Sequence, residues 1–212
     1  MKTIISIHFP KAAGSSLGGQ FEAHFGKAMA YDYNHDPLGP NADLEDQQIE
    51  PGIRIVHGHF RARRYAAVPD TTYVTVLREP LDNLLSIYYF WMDFPPHHNP
   101  VHNRFLEEKP TPEAFATYPG MSTLMSEHYF GGFDMDRMHF VAFHDRRAID
   151  IPRLGESLAV PLKAEIHVNP TSDKHFAARR EVLDDPARCS RIRDILRADV
   201  NFFEREHGKW AK

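Results

Sequence analysis

The sequence predicts an α/β fold built on a central, mainly parallel sheet flanked by helices. Short apolar, β-branched runs recur along the chain, among them "TIISIHF", "IRIVHGHF", "TTYVTVL" and "MHFVAF", and segments with helical apolar spacing stand between them. Strands alternating with helices favour parallel pairing, and a parallel sheet covered on both faces shows continuous rather than alternating hydrophobicity. With 212 residues and 42% hydrophobic content the chain can bury one core, so a single domain over 1–212 is expected. In such folds ligands bind at the carboxyl ends of the strands.

The first strand covers residues 3–9. It runs into "HFPKAAGSSL", after which "SSLGGQFEAHF" places Leu17, Phe21 and Phe25 on one helical face. The stretch "YDYNHDPLGPNADLEDQQIEPG", rich in Pro, Asn and Asp, reads as a long loop. Residues 53–60 and 71–77 are the second and third strands. The helix that follows has Pro80 at its first position and an apolar face of Leu81, Leu84, Leu85 and Tyr88, with most of the aromatics from Tyr88 to Trp91 assigned to the core. "PPHHNPVHNRFLEEKPTPEAF" reads as a second loop, solvated and rich in histidine. Beyond it the pattern gives a helix in "MSTLMSEHYFGG" with a glycine stop, a strand at 138–143, a helix over 149–159, and two C-terminal helices over 172–184 and 186–207.

Composition narrows the function classes. Lys plus Arg total 25 against 29 for Asp plus Glu, a net charge of -4, so no global basic field marks a nucleic-acid partner and any anion site is local. The single cysteine, Cys189, leaves no internal disulfide and suits a reducing compartment. No apolar run approaches the roughly 20 residues of a membrane span, and no signal-peptide pattern opens the chain. The expectation is a cytoplasmic protein without a membrane span.

Three features carry chemistry. In Pro10, Lys11, Ala12, Ala13, Gly14, Ser15 and Ser16, small residues occupy a strand-to-helix turn, where backbone N–H groups and a helix dipole converge on one point. The pattern departs from the nucleotide-binding G-x-x-x-x-G-K-[ST], because Lys11 precedes Gly14 instead of following it, and no strand ends in an obvious magnesium-holding Asp. Arg78 closes the third strand and Ser86 lies on the next helix, so the two can grip one anion; pairing of Arg78 with Glu79 or Asp82 is the plainer alternative. His57 and His59 flank Gly58 at the end of the second strand, and residues two apart on an extended chain share a face. Histidine is the usual general base near neutral pH. A metal pair would need further ligands that the sequence does not supply at fixed spacing, so no metal is expected.

In their order along the chain, "PKAAGSSL", "HGH" and "VLREPLDNLLSIYYF" resemble the sulfotransferases that use 3′-phosphoadenosine 5′-phosphosulfate (PAPS), closest to the carbohydrate branch that contains the heparan sulfate 2-O-sulfotransferases. Looser likenesses are "MHFVAFHD", to a later strand of that family, and "HVNPT", to the run into its adenine loop. The resemblance implies a P-loop NTPase-like sulfotransferase fold. It also implies transfer of a sulfuryl group from PAPS to a hydroxyl acceptor of carbohydrate type, leaving PAP. Residues 10–16 would hold the 5′-phosphosulfate, Arg78 and Ser86 the 3′-phosphate, and Lys11 the bridging oxygen. His59 or His57 would be the base. The family's animal members are longer and membrane-anchored, so their location does not carry over, and no acceptor-pocket residue matches. A kinase-like NTP-dependent phosphotransferase and a non-catalytic nucleotide-binding module are the alternatives.

Overall fold

The computed structural model describes residues 2–44, 48–96, 99–164 and 175–211. Strands β1 (Thr3–Ile7), β2 (Met29–Asp32), β3 (Ile55–Gly58), β4 (Thr71–Leu77) and β5 (Met138–Phe143) form a sheet in the order β2-β3-β1-β4-β5, and every described pair is parallel. Helices α1 (Gly14–Phe25), α2 (Pro80–Asp93), α3 (Pro100–Glu108), α4 (Pro112–Ala116), α5 (Arg147–Leu158), α6 (Phe176–Leu183), α7 (Pro186–Ile195) and α8 (Arg197–Trp210) flank it. Consecutive residues of β1, β3 and β4 are buried, which requires cover on both faces and accounts for their unbroken apolar runs. The expected mainly parallel α/β architecture is therefore present.

The order of strands matters for the site. From β1 the chain moves to one side of the sheet to form β2 and β3, then crosses to the other side for β4 and β5. The carboxyl ends of β1, β3 and β4 consequently meet at the point where the direction of winding reverses.

Four expectations need correction. Met29–Asp32 is an edge strand, although from Tyr31 onward it falls in the stretch read as loop. The supposed second loop holds α3 and α4. Pro100 and Pro112 begin these helices, Asn99 caps the first through Val101 N and His102 N, and Thr111 caps the second through Ala114 N. Within 121–132 only Leu124–Tyr129 is helical, as a π-helical turn. The last helix is two, α7 and α8, meeting at Leu196. The "HVNPT" run lies outside the described residues.

Candidate active site

The turn after β1 is built to turn its carbonyls away and leave its amides in front. Lys11 (φ 57°) and Ala13 (φ 77°) both adopt the left-handed region, which costs a non-glycine residue energy and persists only where the surroundings enforce it. Three side chains do so by donating to the turn's carbonyls. Asn83 Nδ2 donates to the Pro10 carbonyl at 2.7 Å, Arg78 Nη1 to the Lys11 carbonyl at 2.7 Å, and His57 Nε2 to the Gly14 carbonyl at 3.2 Å. Helix α1 has no side-chain N-cap, and its first turn-forming backbone bond runs from Leu17 N to Ala13 O. Among the described residues, the N–H groups of Ala12 to Ser15 have no backbone acceptor. Uncapped amides at a positive helix end form an anion cradle.

These amides open into a cavity of about 740 Å³, lined by Lys11, Gly14, Ser15, Ser16, Arg78 and Ser86 together with His8 and His59. The cavity thus gathers predicted residues from the ends of β1, β3 and β4 and from α2. Arg78 is nearly buried, and burial together with nearby Arg147 pulls its guanidinium pKa down to about 10. Asp82, which Arg78 Nε reaches at 2.5 Å, also pairs with Arg179. Arg147 and Arg179 line the same cavity, so three guanidinium groups cluster there. Ser86 is buried and faces the space as well. Arg78 is thus paired with Asp82, as in the plainer alternative, and also lines the cavity.

The histidines depart from expectation. His57 does not line this cavity: it is 1% exposed and lies beneath the turn. A carbonyl can only accept, so His57 Nε2 carries the proton to Gly14 O, and Nδ1 accepts from Ser6 Oγ at 2.9 Å. Burial holds its pKa down at about 4, so the ring is neutral and both nitrogens are engaged. The expected shared open space is filled by His8, whose ring stacks on His57 at 5.2 Å and on His59 at 4.2 Å. Sequence reasoning passed over His8 because it closes an apolar run. The signal was a polar residue at a strand's carboxyl end beside the phosphate-type turn.

His59 is half-buried and does line the cavity, with Nδ1 2.9 Å from the Tyr129 hydroxyl. Burial lowers its pKa, while Asp36 and the His8 backbone pull the other way. His8 is held well below its ordinary value, first by burial and then by His59, His57 and Lys11. Lys11 is pushed down by burial and by Arg78. Lys11 lines the cavity together with the arginines and with His8 and His59; Arg78 pushes its pKa down, and its own charge helps to push down that of His8.

The glycines follow from close approach. A Cβ on Gly58 would lie 1.8 Å from the Asp32 carbonyl oxygen of β2, and one on Gly14 would lie 1.7 Å from the His8 ring. The glycine of "HGH" is thus dictated by the neighbouring strand. Of the aromatics assigned to the core, Tyr89 is buried, whereas Phe90 is 39% exposed and forms part of the cavity wall. No group of three or more His, Cys, Asp or Glu residues suited to a metal occurs among the described residues. None of the described helices is long and apolar enough to cross a membrane.

No protein-family model and no curated protein matches the sequence. The solved structures that resemble it in fold include two sulfotransferases. One is a mouse sulfotransferase, SULT7A1, complexed with PAP, at 13% identity and TM-score 0.40, covering 85% of this chain and 62% of that one. The other is a sulfotransferase from Alicyclobacillus acidocaldarius, at 14% identity and TM-score 0.45, covering 93% of this chain and 96% of that one. The chain thus spans less than two thirds of the mouse protein's length.

Proposed function

We propose that the protein is a PAPS-dependent sulfotransferase acting on a hydroxyl acceptor, of carbohydrate type. The observation that carries this reading is that Lys11, the Arg78 guanidinium and His59 line one cavity, at the start of a helix that has no side-chain cap. The fit to the co-substrate rests on two separate anion sites in one cavity of about 740 Å³. The amides of residues 12–15 and the start of α1 suit a 5′-phosphosulfate, and Arg78 with Ser86 suits a 3′-phosphate, the group that distinguishes PAPS from ATP.

PAPS supplies the sulfuryl group; the chain supplies position and charge. Lys11 stabilises the negative charge that grows on the bridging oxygen, a task that needs no metal. His59 accepts the proton of the attacking hydroxyl, oriented by Tyr129, whose own phenol is kept protonated by burial. His57, with both nitrogens engaged, acts as a support for the turn and not as the base.

Screening sugars and small alcohols with labelled PAPS, followed by comparison of variants, tests this assignment. His59→Ala should cut transfer by roughly a hundredfold to ten-thousandfold with PAP affinity nearly intact. Lys11→Ala should lower turnover more than it weakens PAP binding. Activity of the parent should persist as the pH falls through the ordinary histidine value and be lost only at lower pH, because burial shifts the His59 pKa down and only the neutral ring accepts a proton. Unimpaired transfer by His59→Ala would remove His59 from the role.

A further inference from the structure

Lys11 differs from Arg78 and Arg179, which line the same cavity, in what holds it. Arg78 and Arg179 lean on the Asp82 carboxylate, whereas Lys11 Nζ sits 4.2 Å from the centre of the Phe90 ring. No ion pair joins Lys11 to a carboxylate among the described residues. Phe90 follows Ser86 by one turn of α2, so both project from one helical face into the cavity. A phenylalanine on a helix that buries Leu81, Leu84 and Leu85 would ordinarily be packed away, yet this one is 39% exposed with a cation over its face.

We propose that Phe90 is a positioning residue whose π face holds the Lys11 ammonium within the cavity that it shares with the arginines, His8 and His59. The catalytic consequence rests on the sulfuryl-transfer reading; the contact itself does not. A lysine carries its charge on a flexible four-carbon stem, and something must fix it. A carboxylate would fix it and neutralise its field. An aromatic face attracts the ammonium while leaving the full charge available to an oxygen anion placed opposite. The ring also opposes the burial and the Arg78 repulsion that both favour loss of the proton.

Two measurements on the full chain test the proposal. In lysine-labelled protein, with the signal assigned through Lys11→Ala, the Lys11 Hε protons should be displaced upfield by the ring. The displacement should vanish in Phe90→Leu and persist in Phe90→Trp. In sulfuryl transfer from labelled PAPS, Phe90→Leu should lower kcat roughly twofold to thirtyfold while PAP affinity moves less than about threefold, and Phe90→Trp should recover most of the loss. An Hε signal identical in the parent and Phe90→Leu would overturn the contact. A loss of PAP affinity as large as the loss of turnover would overturn the positioning role and make Phe90 part of the binding wall. If the parent transfers no sulfate to any acceptor, the sulfuryl-transfer reading falls, while the Hε comparison still decides the contact.

Discussion

His57 shows how much a single residue can be asked to do away from the chemistry. Its ring ties Ser6 of β1 to the Gly14 carbonyl and must be neutral to accept from one and donate to the other. The ordinary histidine pKa is 6.5 and that of His57 in the fold is about 4, so below pH 6.5 the unfolded chain takes up a proton that the folded chain refuses. Stability contributed by the neutral ring is therefore complete above about pH 6.5 and lost as the pH falls toward 4, by about 3 kcal/mol in all. His8 and His59 are displaced in the same direction and add to the slope. Urea midpoints measured between pH 7 and pH 4.5 should fall steeply in the parent and less so in His57→Asn; equal slopes would contradict the account. Gly58 makes a second prediction at this scale. Because an added methyl would meet the β2 backbone at 1.8 Å, Gly58→Ala should destabilise by about 1–3 kcal/mol or more, seen as a lowered thermal midpoint. A midpoint equal to the parent's would show that β2 can yield.

Among the elements, the π-helical turn at Leu124–Tyr129 depends on one carboxylate. Asp199 of α8 accepts from Met125 N at 2.8 Å, Ser126 N at 2.7 Å and Ser126 Oγ at 2.6 Å, which fixes the turn that carries Tyr129 toward His59. Asp199→Ala leaves two backbone donors without their acceptor and should cost about 2–4 kcal/mol in chemical denaturation. A cost below about 1 kcal/mol would mean water replaces the carboxylate without loss. Such a turn was hard to read from sequence, because its support comes from a residue 73 or 74 positions away. Strands β1, β3 and β4 were legible because consecutive buried residues leave mostly apolar runs, and β5 through its buried end at residues 141–143. Strand β2 was not, since it is a four-residue edge strand with Tyr31 exposed, and the pairing that makes it a strand belongs to β3. Helices α3 and α4 hid behind their prolines, although Asn99-Pro100 and Thr111-Pro112 are cap-and-first-turn pairs that the composition of the segment obscured. The break at Leu196 was invisible because Leu196 is itself buried and continues the apolar pattern.

At the scale of the whole molecule, the site exists because three strand ends meet where the sheet reverses its direction of winding. The local motifs around Lys11, Arg78 and His59 were readable one by one, and each lines the shared cavity. Their supports were not readable: Asn83 on Pro10, His57 under Gly14 and Asp82 between two arginines are contacts across the fold. The central claim is that this cavity has separate places for two phosphate-type groups, with Arg78 serving the second. The most direct test is calorimetric titration of PAP and ADP without magnesium, on the parent and on Arg78→Ala. PAP should bind roughly tenfold to a hundredfold more tightly than ADP, as expected for one charge-assisted hydrogen-bonded phosphate, and Arg78→Ala should erase most of that difference. Equal affinity for PAP and ADP, or binding that appears only with magnesium, would contradict the account and favour an NTP-dependent phosphotransferase.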